Sequence, residues 1–165
     1  MDATPQHTFL FADLVGFTAF TERVGDDAAA DAAVAFQSAA ARLAAGYDSE
    51  VVKCLGDAVM IHGSSAARVV ALALRIARDL ADERWCPPVR MGVHSGTAVR
   101  RGGDWYGSTV NVAARLTDAA AAGEVLISLT TRELIASSGP MTIADRGRRS
   151  FKNVGAPVGV FAAAA

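Results

Sequence analysis

The chain has 165 residues, 52% of them hydrophobic and 20% charged, with a formal net charge of −1. That length suits one compact domain, residues 1–165 with a core over about 8–161, and the composition argues against disorder. So balanced a charge offers no bulk attraction to nucleic acid or to an anionic membrane.

Thr8 to Leu14 is a short apolar run ending near an acid, the pattern of a buried strand. Gly16 breaks it, and Phe17 to about Ala45 reads as helix interrupted near Gly25. Asp26 is the expected N-cap of the second part, and Gly46 its end. Glu50 to Lys53 and Ala58 to Ile61 are expected to pair around a turn at Leu55-Gly56-Asp57. Ser64 or Ser65 should cap a helix reaching about Arg84, and Pro87-Pro88 stops anything helical. Val89 to His94 is the next strand, with Thr97 to Arg100 expected to pair beside it and a turn at Gly102-Gly103. A helix from Ser108 to about Ala122, a strand from Glu124 to Ser128 and an antiparallel pair within Met141 to Phe161 complete the chain. The order strand, helix, hairpin, helix, strand predicts an α+β fold. Its core is a ferredoxin-like βαββαβ arrangement, an antiparallel sheet with helices on one face, followed by a C-terminal extension.

Much of the hydrophobic content is alanine, as in DDAAADAAVAF, so the core is less bulky than the percentage suggests. Cys54 and Cys86 stand in no metal or redox spacing and are expected to be reduced, structural thiols of a cytoplasmic protein. No basic start followed by an apolar stretch opens the chain, and no apolar run approaches the roughly 20 residues that span a bilayer.

Two acids stand where apolar sequence surrounds them. Asp13 sits between Phe9-Leu10-Phe11-Ala12 and Leu14-Val15-Gly16-Phe17, and burying a carboxylate there is costly without a cation or donor partner. A solvated helix cap is the plain alternative. Yet strand, acid, glycine and helix start together offer a metal ligand beside free backbone amides, a common way to hold polyphosphate. Asp57 lies in the hairpin turn of KCLGDAVMI, where Gly-Asp is also ordinary turn chemistry. Together the two acids can hold hard cations, since magnesium binds through one or two carboxylates plus substrate phosphates.

The segments FADLVGFTAF, VVKCLGDAVM, GVHSGTAV, DWYGSTVNVAARL and ADRGRRSFKNVGAPVGVF, in that order, resemble the class III adenylate and guanylate cyclase catalytic domain. Gly102-Gly103-Asp104 also resembles a diguanylate cyclase turn, but Trp105-Tyr106 departs from it. The cyclase resemblance implies that Asp13, Asp57 and the Leu14 backbone hold two Mg2+ or Mn2+ ions. It implies base contacts from Lys53 and Asp104, transition-state contacts from Asn111 and Arg115, and phosphate contacts from Gly16, Phe17, Thr18 and Lys152. The six main side chains match the pattern of an active adenylate cyclase.

The chemistry is consistent with those types. Attack of the ribose 3′ oxygen on the α-phosphorus, with pyrophosphate leaving in line, suits two cations at the two ends of the reaction. Asn111 and Arg115, four apart, share a helix face, and a guanidinium there can donate to α-phosphate oxygens as charge grows. A solvated helix arginine is the alternative for Arg115. Adenine presents an acceptor at N1 and a donor at N6, complementary to a lysine and an aspartate, whereas guanine reverses both. A mismatch leaves a buried polar group unpaired, at roughly 1–3 kcal/mol or about 5- to 150-fold per group. His62 and His94 fall in strands and read as structural.

Lys53 and Asp57 flank one tight turn, yet they would serve opposite ends of a nucleotide. In the family the site is shared, with metal acids from one subunit and base and transition-state residues from the other, which implies a homodimer with two sites. The expected function is therefore an adenylate cyclase acting on ATP, with no nucleic-acid partner. A guanylate cyclase and a non-catalytic, nucleotide-sensing cyclase-like module are the alternatives.

Overall fold

Alternation along the first strand, β1 (His7–Leu14), creates two cores at once. Leu10, Ala12 and Leu14 point into one, while Phe9 and Phe11 point into another on the opposite face. The computed structural model describes residues 6–136 and 139–165. After β1 come α1 (Phe17–Val24), α2 (Asp26–Ala45), β2 (Ser49–Leu55), β3 (Ala58–Gly63), α3 (Ala66–Leu80) and β4 (Val89–Gly96). β1 lies between β3 and β4, antiparallel to both, and β2 pairs antiparallel with β3. This is the βαββαβ core expected from the element order.

Its helices cover a single face. Phe36 of α2 and Leu72 and Ile76 of α3 are fully buried against Leu10 and Ala12. Alanines at 39, 40 and 44 let α2 lie close to the strands, so the alanine-rich composition reports tight packing. α3 is capped as expected, with Ser65 Oγ accepting from the Arg68 amide. It stops at Leu80, four residues short of the expected end at Arg84.

The rest of the chain extends the sheet and covers its other face. The further elements are β5 (Val99–Arg101), β6 (Asp104–Tyr106), α4 (Ser108–Ala119), β7 (Val125–Ser128), α5 (Leu129–Leu134), β8 (Thr142–Arg149) and β9 (Val158–Ala164). β7 adds parallel to β4, and β9 and β8 follow antiparallel, giving seven strands in the order β2-β3-β1-β4-β7-β9-β8.

α4 runs along β4 with almost nothing between them. A Cβ at Gly92 would lie 2.4 Å from the Thr117 amide nitrogen, and one at Gly96 would lie 2.5 Å from Thr109 Oγ1. Four strand residues rise about 13 Å and eight helical residues about 12 Å, so both contacts are made in step. Glycine is needed at these positions for close approach.

Several local expectations are corrected. Thr97 to Arg100 does not pair beside β4: β5 pairs with β6 in a separate two-stranded ribbon. The N-cap of α2 is Gly25, and Asp26 is the first helical residue, placed with Asp27 where carboxylates favour the helix dipole. α4 ends at Ala119 rather than Ala122. α5 was not foreseen; it is six residues long and is capped by Ser128 Oγ, which accepts from the Thr131 amide. Both cysteines are free, but Cys54 is exposed and has no core role. No helix among the described residues is long and apolar enough to cross a membrane.

Candidate active site

Asp13 closes β1 and Asp57 occupies the β2–β3 turn, and the backbone ties them together. The Leu14 amide donates to the Asp57 carbonyl at 3.2 Å, and the Val15 amide to the Pro88 carbonyl at 2.7 Å. The two carboxyl groups face each other. Burial pushes the Asp57 carboxyl up from its ordinary value, and the charge of Asp13 pushes it further in the same direction. Two oxygen-rich acids whose repulsion is already felt are a donor set suited to hard divalent cations. Among the described residues no group of three or more His, Cys, Asp or Glu side chains is gathered, so remaining ligands would come from backbone or substrate oxygens.

The turn after β1 supplies anion donors. Gly16 holds φ 69°, a left-handed conformation that a side chain would strain, and it begins α1 without a side-chain cap. No acidic residue occupies the first turn of α1. The amides around Gly16, Phe17 and Thr18 are thus at an uncapped helix start, where the dipole favours an anion. A cleft of about 210 Å3 opens at Asp13, lined also by Leu55, Ala58 and Asp118 among others.

A second cluster lies on β2 and β6. Lys53 Nζ donates to Asp104 Oδ2 at 2.7 Å, joining residues 51 apart in sequence. The other carboxylate oxygen, Oδ1, accepts from the Trp105 amide at 2.8 Å. The Lys53 bond and then the Trp105 bond hold the Asp104 carboxyl below the usual carboxylate value. The side chains remain 40% and 25% exposed, so the pair is open to an incoming partner.

Asn111 and Arg115 project from one face of α4, Asn111 exposed and Arg115 partly buried. Lys152 is exposed in the loop between β8 and β9, and among the described residues it forms no hydrogen bond or ion pair. The structure therefore brings Asp13 to Asp57 and Lys53 to Asp104, and bonds Lys152 to neither pair.

A profile of the adenylate and guanylate cyclase catalytic domain matches residues 1–161. The chain belongs to that family. An adenylate cyclase of Streptomyces coelicolor is 37% identical to this cyclase domain over 123 residues, 74% of this chain and 32% of that protein. One of Streptomyces griseus is 38% identical over 117 residues, 71% of this chain and 29% of that protein. The chain thus spans about a third of the length of these relatives. The adenylyl cyclase CyaB from P. aeruginosa shares the fold, with a TM-score of 0.83 at 24% identity over 97% of this chain and 94% of that one.

Within the cyclase domain, two residues join the site that the sequence motifs did not single out. Arg90 of β4 donates to Asp13 Oδ2 through Nη2 at 2.9 Å and Nε at 3.2 Å, and to the Asp118 carbonyl at 3.1 Å. Asp118 Oδ2 lies 3.8 Å from Arg115 Nη1, while its Oδ1 lies 3.9 Å from Arg90 Nη2. Asp118 thus connects the arginine of α4, through Arg90, to Asp13 of β1. The available signal was an arginine inside the otherwise apolar run from Val89 to Val93.

Proposed function

We propose that this domain converts ATP to 3′,5′-cyclic AMP and pyrophosphate at sites shared between two copies of the chain. The observation that carries the reading is the 2.7 Å contact between Lys53 and Asp104, a donor and an acceptor held side by side and still accessible. Adenine matches that pair: Lys53 donates to N1 while Asp104 accepts from the N6 amino group. Guanine would set a donor against the lysine and an acceptor against the aspartate.

Asp13, Asp57 and the Leu14 backbone would hold two Mg2+ or Mn2+ ions. When bound, such cations lower the pKa of the attacking ribose hydroxyl and neutralise charge on the departing pyrophosphate. The amides of Gly16, Phe17 and Thr18, with Lys152, bind the outer phosphates. Arg115 donates to the α-phosphate oxygens as negative charge grows there, and Asn111 fixes the ribose ring oxygen and so the angle of attack.

Sharing follows from what one hairpin carries. Lys53 on β2 and Asp57 in the turn after it serve the base and the phosphates, which are opposite ends of one nucleotide. In a homodimer Asp13 and Asp57 of one protomer face Lys53, Asp104, Asn111 and Arg115 of its partner, and two equivalent sites form.

The direct test is incubation of the purified domain with ATP or GTP and Mn2+, followed by assay for cyclic nucleotide and pyrophosphate. Cyclic AMP and pyrophosphate in equal amounts are expected. Cyclic GMP as the main product would assign a guanylate cyclase, and no product with either nucleotide would assign a binding module.

A further inference from the structure

Asp104 stands on a ribbon that has little to hold it. β5 and β6 form only a two-stranded sheet, separate from the seven-stranded one, and such ribbons are marginal on their own. Of its six strand residues, only Trp105 is buried. Whatever fixes the ribbon against the domain must therefore act largely through that ring.

The ring sits in a box built by two other strands. His62 of β3 stacks on it, with centroids 4.4 Å apart and planes at 21°; His7 of β1 lies at 4.5 Å. Phe9 meets it edge-on at 5.7 Å, and the Arg100 guanidinium lies 5.6 Å from its centroid. His7 Nδ1 and His62 Nε2 are 3.0 Å apart, so one ring donates to the other and the floor of the box is tied together. Burial lowers the pKa of both histidines, and His7 lowers that of His62 further, favouring neutral rings beneath the indole. Among the described residues the buried indole Nε1 has no hydrogen-bond partner. Trp105 is thus used for its stacking area and not for its polar atom.

The consequence lies one residue earlier. The Trp105 amide holds Asp104 Oδ1, and Lys53 holds Oδ2. Lys53 reaches Oδ2 from β2 of the main sheet, whereas the amide that holds Oδ1 belongs to Trp105 itself and moves with the seat of the indole. We propose that Trp105, stacked in the His7–Phe9–His62 box, is the positioning residue that aims Asp104 at the nucleotide base and so sharpens the choice between adenine and guanine. The inference rests on Lys53 and Asp104 being the base contacts.

The experiment compares Trp105→Leu, Trp105→Phe and Asp104→Ala with the parent domain, measuring kcat and KM for ATP and GTP. Trp105→Leu should raise KM for ATP about 3- to 10-fold, the range that aromatic stacking sustains, with a smaller change in kcat and a narrower ATP preference. Trp105→Phe restores a stacking ring and loses no hydrogen bond, so it should recover most of that loss. If Asp104→Ala leaves nucleotide preference untouched, the base-reading assignment itself fails. If Asp104→Ala changes preference while a folded Trp105→Leu binds ATP as the parent does, the positioning role is overturned.

A second measurement covers a Trp105→Leu protein that does not fold. In a Trp85→Phe background Trp105 is the sole tryptophan. Titration with a non-hydrolysable ATP analogue should then change its emission saturably, and the change should vanish when Asp104→Ala is added. Emission that ignores a bound analogue overturns the proposal.

Discussion

Arg90 grips Asp13 through two nitrogens, Nη2 at 2.9 Å and Nε at 3.2 Å, and so places a fixed cation beside the acid pair. The same guanidinium reaches the end of α4 through the Asp118 carbonyl. Replacing it with methionine removes the charge while keeping a long side chain. Asp13 and Asp57 then face each other uncompensated, and the metal-free domain should lose roughly 1–2 kcal/mol, discounted for partial exposure. Added Mn2+ should raise the melting temperature of Arg90→Met by more than it raises that of the parent. Equal shifts in thermal melts would show that the guanidinium does not balance the acids.

Base preference should be reversible at two positions. Lys53→Glu supplies an acceptor for the guanine donor, and Asp104→Ala removes an acceptor that would oppose guanine O6. Each mismatch relieved is worth about 5- to 150-fold. The double variant should therefore shift kcat/KM toward GTP by at least tenfold relative to ATP. An unchanged ratio in purified protein would separate this pair from base recognition.

Sharing of the site predicts complementation. Asp13→Ala and Arg115→Ala variants are each expected to be inactive alone, because every homodimeric site lacks one essential group. Mixed in equal amounts, they form heterodimers with one site that is whole and one that lacks both groups. Activity should then return to roughly a quarter of the parent level, since about half of the dimers are mixed and each has one working site. A mixture no more active than its components rules out the shared arrangement.

Acid should weaken the fold through His94. Its ring lies 2.6 Å from Ser128 Oγ, and burial pushes its pKa down from 6.5 to about 4. Below pH 6.5 the unfolded chain gains a proton that the folded chain refuses, so this contribution is complete above 6.5 and is lost toward 4. The loss amounts to on the order of 3 kcal/mol. Denaturant melts of the parent at pH 7 and pH 4.5 should differ more than those of His94→Asn. Parallel pH profiles would assign the acid sensitivity elsewhere.

The fold was readable in the sequence where local pattern and burial agree. Apolar runs and glycine breaks marked β1, the β2–β3 hairpin and β4, and their order implied the core. The misplacement of Thr97 to Arg100 has a tertiary cause. The three β5 residues are all exposed, so no hydrophobic alternation announces their partner, and the anchor is the buried Trp105 across the ribbon. α5 is short and depends on a serine cap, which gives too little periodicity to notice. Among the site residues, the motifs named Asp13, Asp57, Lys53 and Asp104, and the structure pairs them as two couples. Arg90 escaped because its meaning depends on Asp13, its register partner across β1 and β4.

The seat of α4 on β4 leaves this domain no loose bearing at that joint. At Gly92 and Gly96 the strand offers the helix only a hydrogen atom, so at these two points no side chain lies between them on which the helix could slide. A motion that swings Asn111 and Arg115 must carry β4 as a single rigid lever. Arg90, two residues from Gly92 on that lever, would pull on Asp13 as it moved.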